Sequence, residues 1–104
     1  MMRGADDGEL SFSGEIWYWR GPSPFHFVTV PEPQCQALRD VASEVTYGWG
    51  MIPVQVSVGG TKFQTSLWPK DGGYIVPIKD VVRRSEEVDE GDVVDLRMSV
   101  RRKR

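Results

Sequence analysis

A chain of 104 residues, 39% hydrophobic and 27% charged, has the size and balance of one globular domain, which excludes both a disordered polymer and a two-domain protein. Its net charge of -2 supplies no global field for nucleic acid or anionic lipid, and no apolar run approaches the ~20 residues that span a bilayer. The single cysteine, Cys35, excludes an internal disulfide framework. Without a basic-then-apolar leader at the N-terminus, it points to a reducing, cytoplasmic setting.

Residues 1–9, with Asp6, Asp7 and Glu9, read as a disordered acidic lead-in. Leu10 to Trp19 alternates as one strand. Leu10, Phe12, Ile16 and Tyr18 share a face with Gly14, while Ser11, Ser13, Glu15, Trp17 and Trp19 share the other. Gly21-Pro22-Ser23-Pro24 makes the turn, and Phe25 to Val30 is a second strand rich in aromatic and β-branched residues. Pro31-Glu32-Pro33 ends it and opens a helix, because proline is tolerated in a first helical turn. Leu38, Val41, Ala42 and Val45 fall at helical spacing, opposite Gln36, Arg39, Asp40 and Ser43. A loop over Thr46-Tyr47-Gly48-Trp49-Gly50 follows.

Val54, Val56 and Val58 alternate with polar residues, and Gly59-Gly60 offers the positive φ angles of a tight hairpin returning through Thr61 to Trp68. Pro69-Lys70-Asp71-Gly72-Gly73 reads as the next turn, Tyr74 to Val76 as a short strand, and Lys79 to Ser85 as a brief helix. Glu90-Gly91-Asp92 turns into a last strand through Val94, Leu96, Met98 and Val100. The expectation is a mainly β domain over residues 10–100. It is a small closed or split β-barrel of about six strands, with one longer and one short helical connection and a basic tail at 101–104. Strand, strand, helix, strand recurs twice, with Thr29-Val30-Pro31 echoed by Ile75-Val76-Pro77; two such halves would bury their apolar faces by closing on each other.

Phe12-Ser13-Gly14-Glu15, Phe27-Val28-Thr29-Val30-Pro31, Ile52-Pro53-Val54 and Gly59-Gly60-Thr61 occur in order. Thr65-Ser66-Leu67, Pro69 to Tyr74, Val76-Pro77-Ile78-Lys79, Arg83-Arg84 and Gly91-Asp92-Val93-Val94 follow them. Together these stretches resemble a bacterial family known as domain of unknown function 1905. The resemblance implies a small β-barrel of two similar halves, like the barrel that swapped-hairpin transcription factors form as dimers. It implies no activity and no functional residues.

Chemistry is sparse. One histidine and one cysteine cannot build a structural zinc site, and the acidic run Glu86, Glu87, Asp89, Glu90, Asp92 lacks calcium-loop order and reads as a solvated turn. His26 points to solvent if Phe25 and Phe27 face the core, and is buried and hydrogen-bonded if they face out. Nothing pairs it with Cys35 for nucleophilic catalysis. Lys70-Asp71-Gly72-Gly73 is a hairpin turn before it is an anion-binding nest.

Four tryptophans are the strongest feature, since exposed aromatic patches mark binding surfaces and buried ones merely fill a core. Three functions follow. The first is a non-enzymatic module that grips a protein segment or small apolar ligand through Trp17, Trp19, Tyr47, Trp49, Trp68 and Lys70. The second binds nucleic acid through Arg83, Arg84, Arg97, Arg101, Arg102, Lys103 and Arg104. The third is a small hydrolase-like enzyme with carboxylates such as Glu15 or Asp71, although no pair is identified. No cofactor or metal is expected.

Overall fold

The computed structural model describes residues 9–21, 25–45 and 50–101, with only the backbone of 43–45. Among these described residues nine elements follow one another: β1 (Glu9–Glu15), β2 (Trp17–Trp19), β3 (Phe25–Thr29), α1 (Glu32–Val45), β4 (Ile52–Val58), β5 (Thr61–Lys70), β6 (Gly73–Pro77), α2 (Asp80–Glu86) and β7 (Val93–Val100). All seven strands join one antiparallel sheet in the order β1-β7-β4-β5-β6-β3-β2. The domain is mainly β as expected, but of the expected closed or split barrel of about six strands the closed form is corrected: the sheet curls into a half-barrel of seven strands. Glu9 is not part of a lead-in: it pairs with Ser99 at the start of β1.

The extra strand arises at Ile16. The expected continuous strand from Leu10 to Trp19 divides there, because its first half pairs with β7 and its second with β3. At the division the Ile16 N–H donates to Asp92 O (2.9 Å) and the Gly91 N–H donates to Ile16 O (2.8 Å). The backbone therefore stays satisfied while it bends, and the Ile16 side chain is wholly buried. One bent strand thus supplies both edges of the sheet. β5 does the same work in the interior, pairing first with β4 and then with β6. The pairings of β1, β2, β3 and β4 are repeated by β5, β6 and β7, so the echo seen in the sequence is an echo of topology.

Residues directly opposite in an antiparallel pair share a face. The concave face carries Val28, Val54, Val56, Val58, Leu67, Val76, Leu96 and Met98, all buried in one cluster. Cys35 and Leu38 of α1 and Val82 of α2 complete that core. In α1, Gln36, Arg39 and Asp40 face solvent as the spacing predicts. Gly14 lies where β1 passes β3: a Cβ there would stand 2.5 Å from Val28 Cγ1.

Two turns differ from expectation. Pro69 and Lys70 belong to β5, and the turn is only Asp71-Gly72, whose φ values of 52° and 82° make a type I′ hairpin. In the β4–β5 turn only Gly59 has positive φ, and Glu86 packs where its side chain would stand while accepting a hydrogen bond from Thr61 Oγ1.

Candidate functional site: an aromatic outer face

Five rings gather on the convex side of the sheet. Trp17 opposes Phe27 and Trp19 opposes Phe25 across β2 and β3, while Trp68 opposes Ile75 across β5 and β6. Their order in sequence, all odd positions on β2 and β3, puts them on the face away from Val28. Phe27 sits at the centre, with ring centroids 5.0 Å from Trp68, 5.3 Å from Trp17, and 6.1 Å from both Trp19 and Phe25. Edge-on and tilted geometries dominate, as the ring quadrupoles favour, and each such pair adds ~0.5–1.5 kcal/mol to burial. Phe27 and Ile75 are buried at 0% and 2% exposure, yet neither belongs to the main core cluster. They are the floor of a second, smaller apolar layer, whose upper surface is formed by the half-buried Trp17, Trp19 and Trp68 and by Phe25, 41% exposed.

Each ring is held in place by identifiable contacts. Trp17 Nε1 donates to Thr29 Oγ1 at 2.9 Å. The Trp19 indole lies against Gly21, where a Cβ would collide with the ring, so that glycine is a steric requirement of the site. Lys70 Nζ stands 5.4 Å from the Trp19 ring centroid while pairing with Asp71 at 3.0 Å. The turn beneath that ammonium is fixed from α1. Arg39 donates to both carboxylate oxygens of Glu32 (2.9 and 3.2 Å) and to Gly72 O (3.0 Å). The Arg39 guanidinium, by hydrogen bond first and charge second, holds the Glu32 carboxyl below its ordinary range and is itself raised by Glu32.

A cleft of about 410 Å³ opens beside the rings, lined by Phe25, His26, Trp68, Pro77, Lys79 and Asp80. This volume falls within the range of ligand pockets. Because Phe25 and Phe27 face out, His26 takes the inward position. Its Nε2 lies 3.4 Å from Asp89 Oδ1, and its ring is 4.9 Å from that of Tyr18. Asp89 also accepts from Arg83 (3.1 Å), and Arg83 reaches Asp80 with its other nitrogen. The Asp89 carboxyl lies below its ordinary range, chiefly through the Glu90 N–H and then the Arg83 and His26 charges. The acidic run is therefore not simply a solvated turn: Asp89 and Asp92 build the loop that pins Ile16, and Glu86 fills the β4–β5 turn.

Of the aromatic candidates, the structure brings together Trp17, Trp19, Trp68 and Lys70; Tyr47 and Trp49 lie outside the described residues. Phe25 and Phe27 complete the set, and the signal for them was their alternation in register with Trp17 and Trp19. Among the basic candidates, Arg83 is engaged by two carboxylates and Arg84 is exposed on α2. Arg97 projects from β7 between Ser11 and Ser57. Arg101 follows β7, its N–H on Pro53 O (2.9 Å), and lines a shallow cleft with Trp68 and Gln64. Arg102, Lys103 and Arg104 lie outside the described residues. Glu15 is exposed at the end of β1, and Asp71 is paired with Lys70 in the β5–β6 turn. Cys35 is buried and donates to Val30 O at 3.3 Å. No helix among the described residues is long and apolar enough to cross a membrane.

Residues 12–98 match the model of a family described as Domain of unknown function (DUF1905). No curated protein matches the chain.

Proposed function

The chain belongs to the domain of unknown function 1905 family, and we propose that it is a non-enzymatic binding module whose outer aromatic face holds a protein segment or a small apolar ligand. One observation carries this reading: five rings form a second apolar layer on the side of the sheet away from the core, with their upper surface open to solvent. A sheet that needed only stability would place polar residues there, as it does along Ser11, Ser57, Arg97 and Gln55. Lys70 at one border and Arg101 at another give the face a cationic rim, suited to a ligand with an apolar body and a negative end. The buried lone thiol of Cys35 supports a cytoplasmic setting, and the family resemblance supports a bacterial one.

Tryptophan emission tests the proposal directly. Titration with a panel of hydrophobic acids and apolar peptides is expected to quench and shift the emission saturably, and Trp19→Ala should weaken binding at least tenfold while the fold persists. If no compound in the panel perturbs the emission, or if Trp19→Ala leaves affinity unchanged, the aromatic layer is only structural. Arg101 beside Trp68 favours a second reading, an oligonucleotide stacked on the rings. A log K that falls with log salt would support it. A flat response would remove it.

A further inference from the structure

The sheet is split beside β5, which pairs with β6 only from Trp68 to Lys70, opposite Ile75 to Gly73. Continuing that register would set Pro77 opposite Ser66 and Lys79 opposite Gln64. Proline brings no N–H to a ladder, and Val76 and Pro77 pair with β3. The two strands part beyond Ile75, and a side chain spans the gap farther on: Lys79 Nζ donates to Gln64 O at 2.8 Å. The cleft of about 410 Å³ lies in this split, with Thr65 and Trp68 on one side and Pro77, Ile78 and Lys79 on the other. Every residue that lines it is among the described ones.

The charge of the cleft points to its occupant. Two of its ionisable groups are already engaged: Asp80 accepts from Arg83, and His26 Nε2 lies 3.4 Å from Asp89 Oδ1. Lys79 differs. Its ammonium carries three donors, bonds a neutral carbonyl, and meets no carboxylate among the described residues. One ammonium suits one carboxylate, whereas a phosphate is ordinarily met by an arginine fork or a nest of backbone N–H groups. Arg83 is held by Asp80 and Asp89 and offers no such fork. Of the other cations at the rim, Lys70 is already paired with Asp71, and Arg101 borders a shallower cleft. The apolar track begins at the same place. Phe25 and Trp68 line the cleft, both touch Phe27, and Phe27 touches Trp17 and Trp19.

We propose that the protein binds a small, elongated hydrophobic carboxylic acid. Its carboxylate sits in the cleft on Lys79 Nζ, and its apolar body lies over Phe25 and Trp68 toward Trp19. This rests on the aromatic face being the binding surface and deepens it, choosing the small ligand over the protein segment and Lys79 as the cation that reads its negative end.

Decanoate and its neutral amide, decanamide, are the probes, titrated calorimetrically against the full chain. The acid should bind more tightly by about tenfold, as a charge-assisted hydrogen bond predicts. Lys79→Gln should abolish that preference while decanamide binds as before, and Lys79→Arg should retain it. Trp19→Ala should weaken both probes alike. Circular dichroism checks that each variant is folded. In the unaltered protein, decanoate should shift the amide resonances of His26, Ile78 and Lys79, a readout that needs no variant. A preference that survives Lys79→Gln, or shifts centred on Gly72 or Arg101 instead, would overturn the cleft and leave the aromatic-face reading standing. Binding of an apolar peptide but of neither probe would do the same. A preference that depends on Lys79, with both affinities unchanged in Trp19→Ala, would keep the cleft and remove the wider face. If neither probe nor peptide binds, both readings fall.

Discussion

Replacing Gly14 with alanine tests the half-barrel where its bent strand passes β3. The new Cβ would stand 2.5 Å from Val28 Cγ1, against an ordinary carbon–carbon contact of ~3.5–4.0 Å, an overlap of about 1 Å. Val28 is wholly buried in a packed core and cannot swing away. Overpacking of this kind costs ~1–3 kcal/mol. Alanine also restricts the unfolded chain, which offsets ~0.4–1 kcal/mol. The net expectation is a loss of about 1–2 kcal/mol. Val28→Ala alone should cost about 2–3 kcal/mol, from two lost methyl groups and the space they leave. In the double variant the overlap vanishes, because Cγ1 is gone. The pair should therefore be less destabilised than the sum of the singles by about 1–2 kcal/mol, a coupling typical of residues in contact. Urea unfolding followed by tryptophan emission measures all four proteins, and at a slope of ~1–3 kcal/mol/M the Gly14→Ala midpoint should fall by roughly 1 M or somewhat less. If Gly14→Ala matches the parent, or if the two changes add, β1 does not press on Val28 and the account of how the half-barrel is drawn together fails.

Other expectations are simpler. Glu87 ends α2 at φ 56° with the hydrogen bonds of a Schellman turn, so Glu87→Gly should raise the melting temperature, by about 4–8 °C for each kcal/mol of relieved strain. Gly21→Ala should displace the Trp19 indole, seen as red-shifted emission and weakened ligand binding with little change in far-ultraviolet circular dichroism; an unchanged spectrum would contradict the placement. Glu32 and Asp89 both have carboxyl pKa values lowered by folding, so they stabilise above the ordinary carboxylate range and lose that contribution as pH falls through the folded values. Urea midpoints should therefore drop between neutral pH and about pH 3, and less steeply in Asp89→Asn. An equal slope in that variant would show that Asp89 is not one of the groups responsible.

The parts of the fold legible in the sequence are those dictated locally. Val54, Val56 and Val58 announce a strand with one buried face, Pro33 is compatible with a first helical turn, and Leu38 with Val41 and Ala42 fixes the buried side of α1. What the sequence conceals is decided by partners distant along the chain. Isoleucine is a good strand former, so nothing at Ile16 signals a division; it exists because Gly91 and Asp92 take over its hydrogen bonds. Lys70 continues β5 because Asp71-Gly72 completes a turn without help, a distinction that a run of Pro, Asp and Gly blurs. At the aromatic site the tryptophans draw attention by rarity. Whether Phe25 and Phe27 face the core or face out is open in the sequence and is decided only by their register with Trp17 and Trp19, and Gly21 is recognisable only once the Trp19 ring is seen against it.

Because one bent strand forms both edges of the sheet, the order of synthesis is at odds with the order of assembly. β1 emerges well before its ladder partner β7, and Glu9 must wait for Ser99, 90 positions away. Pairings of such separation are slow to form. Until β7 arrives, Leu10, Phe12 and Ile16 have no core to enter, while the β4–β5 and β5–β6 hairpins can already stand. The N-terminal strand is thus the last piece fastened and the first released when the domain opens, so amide exchange in β1 should outpace that in β4 and β5.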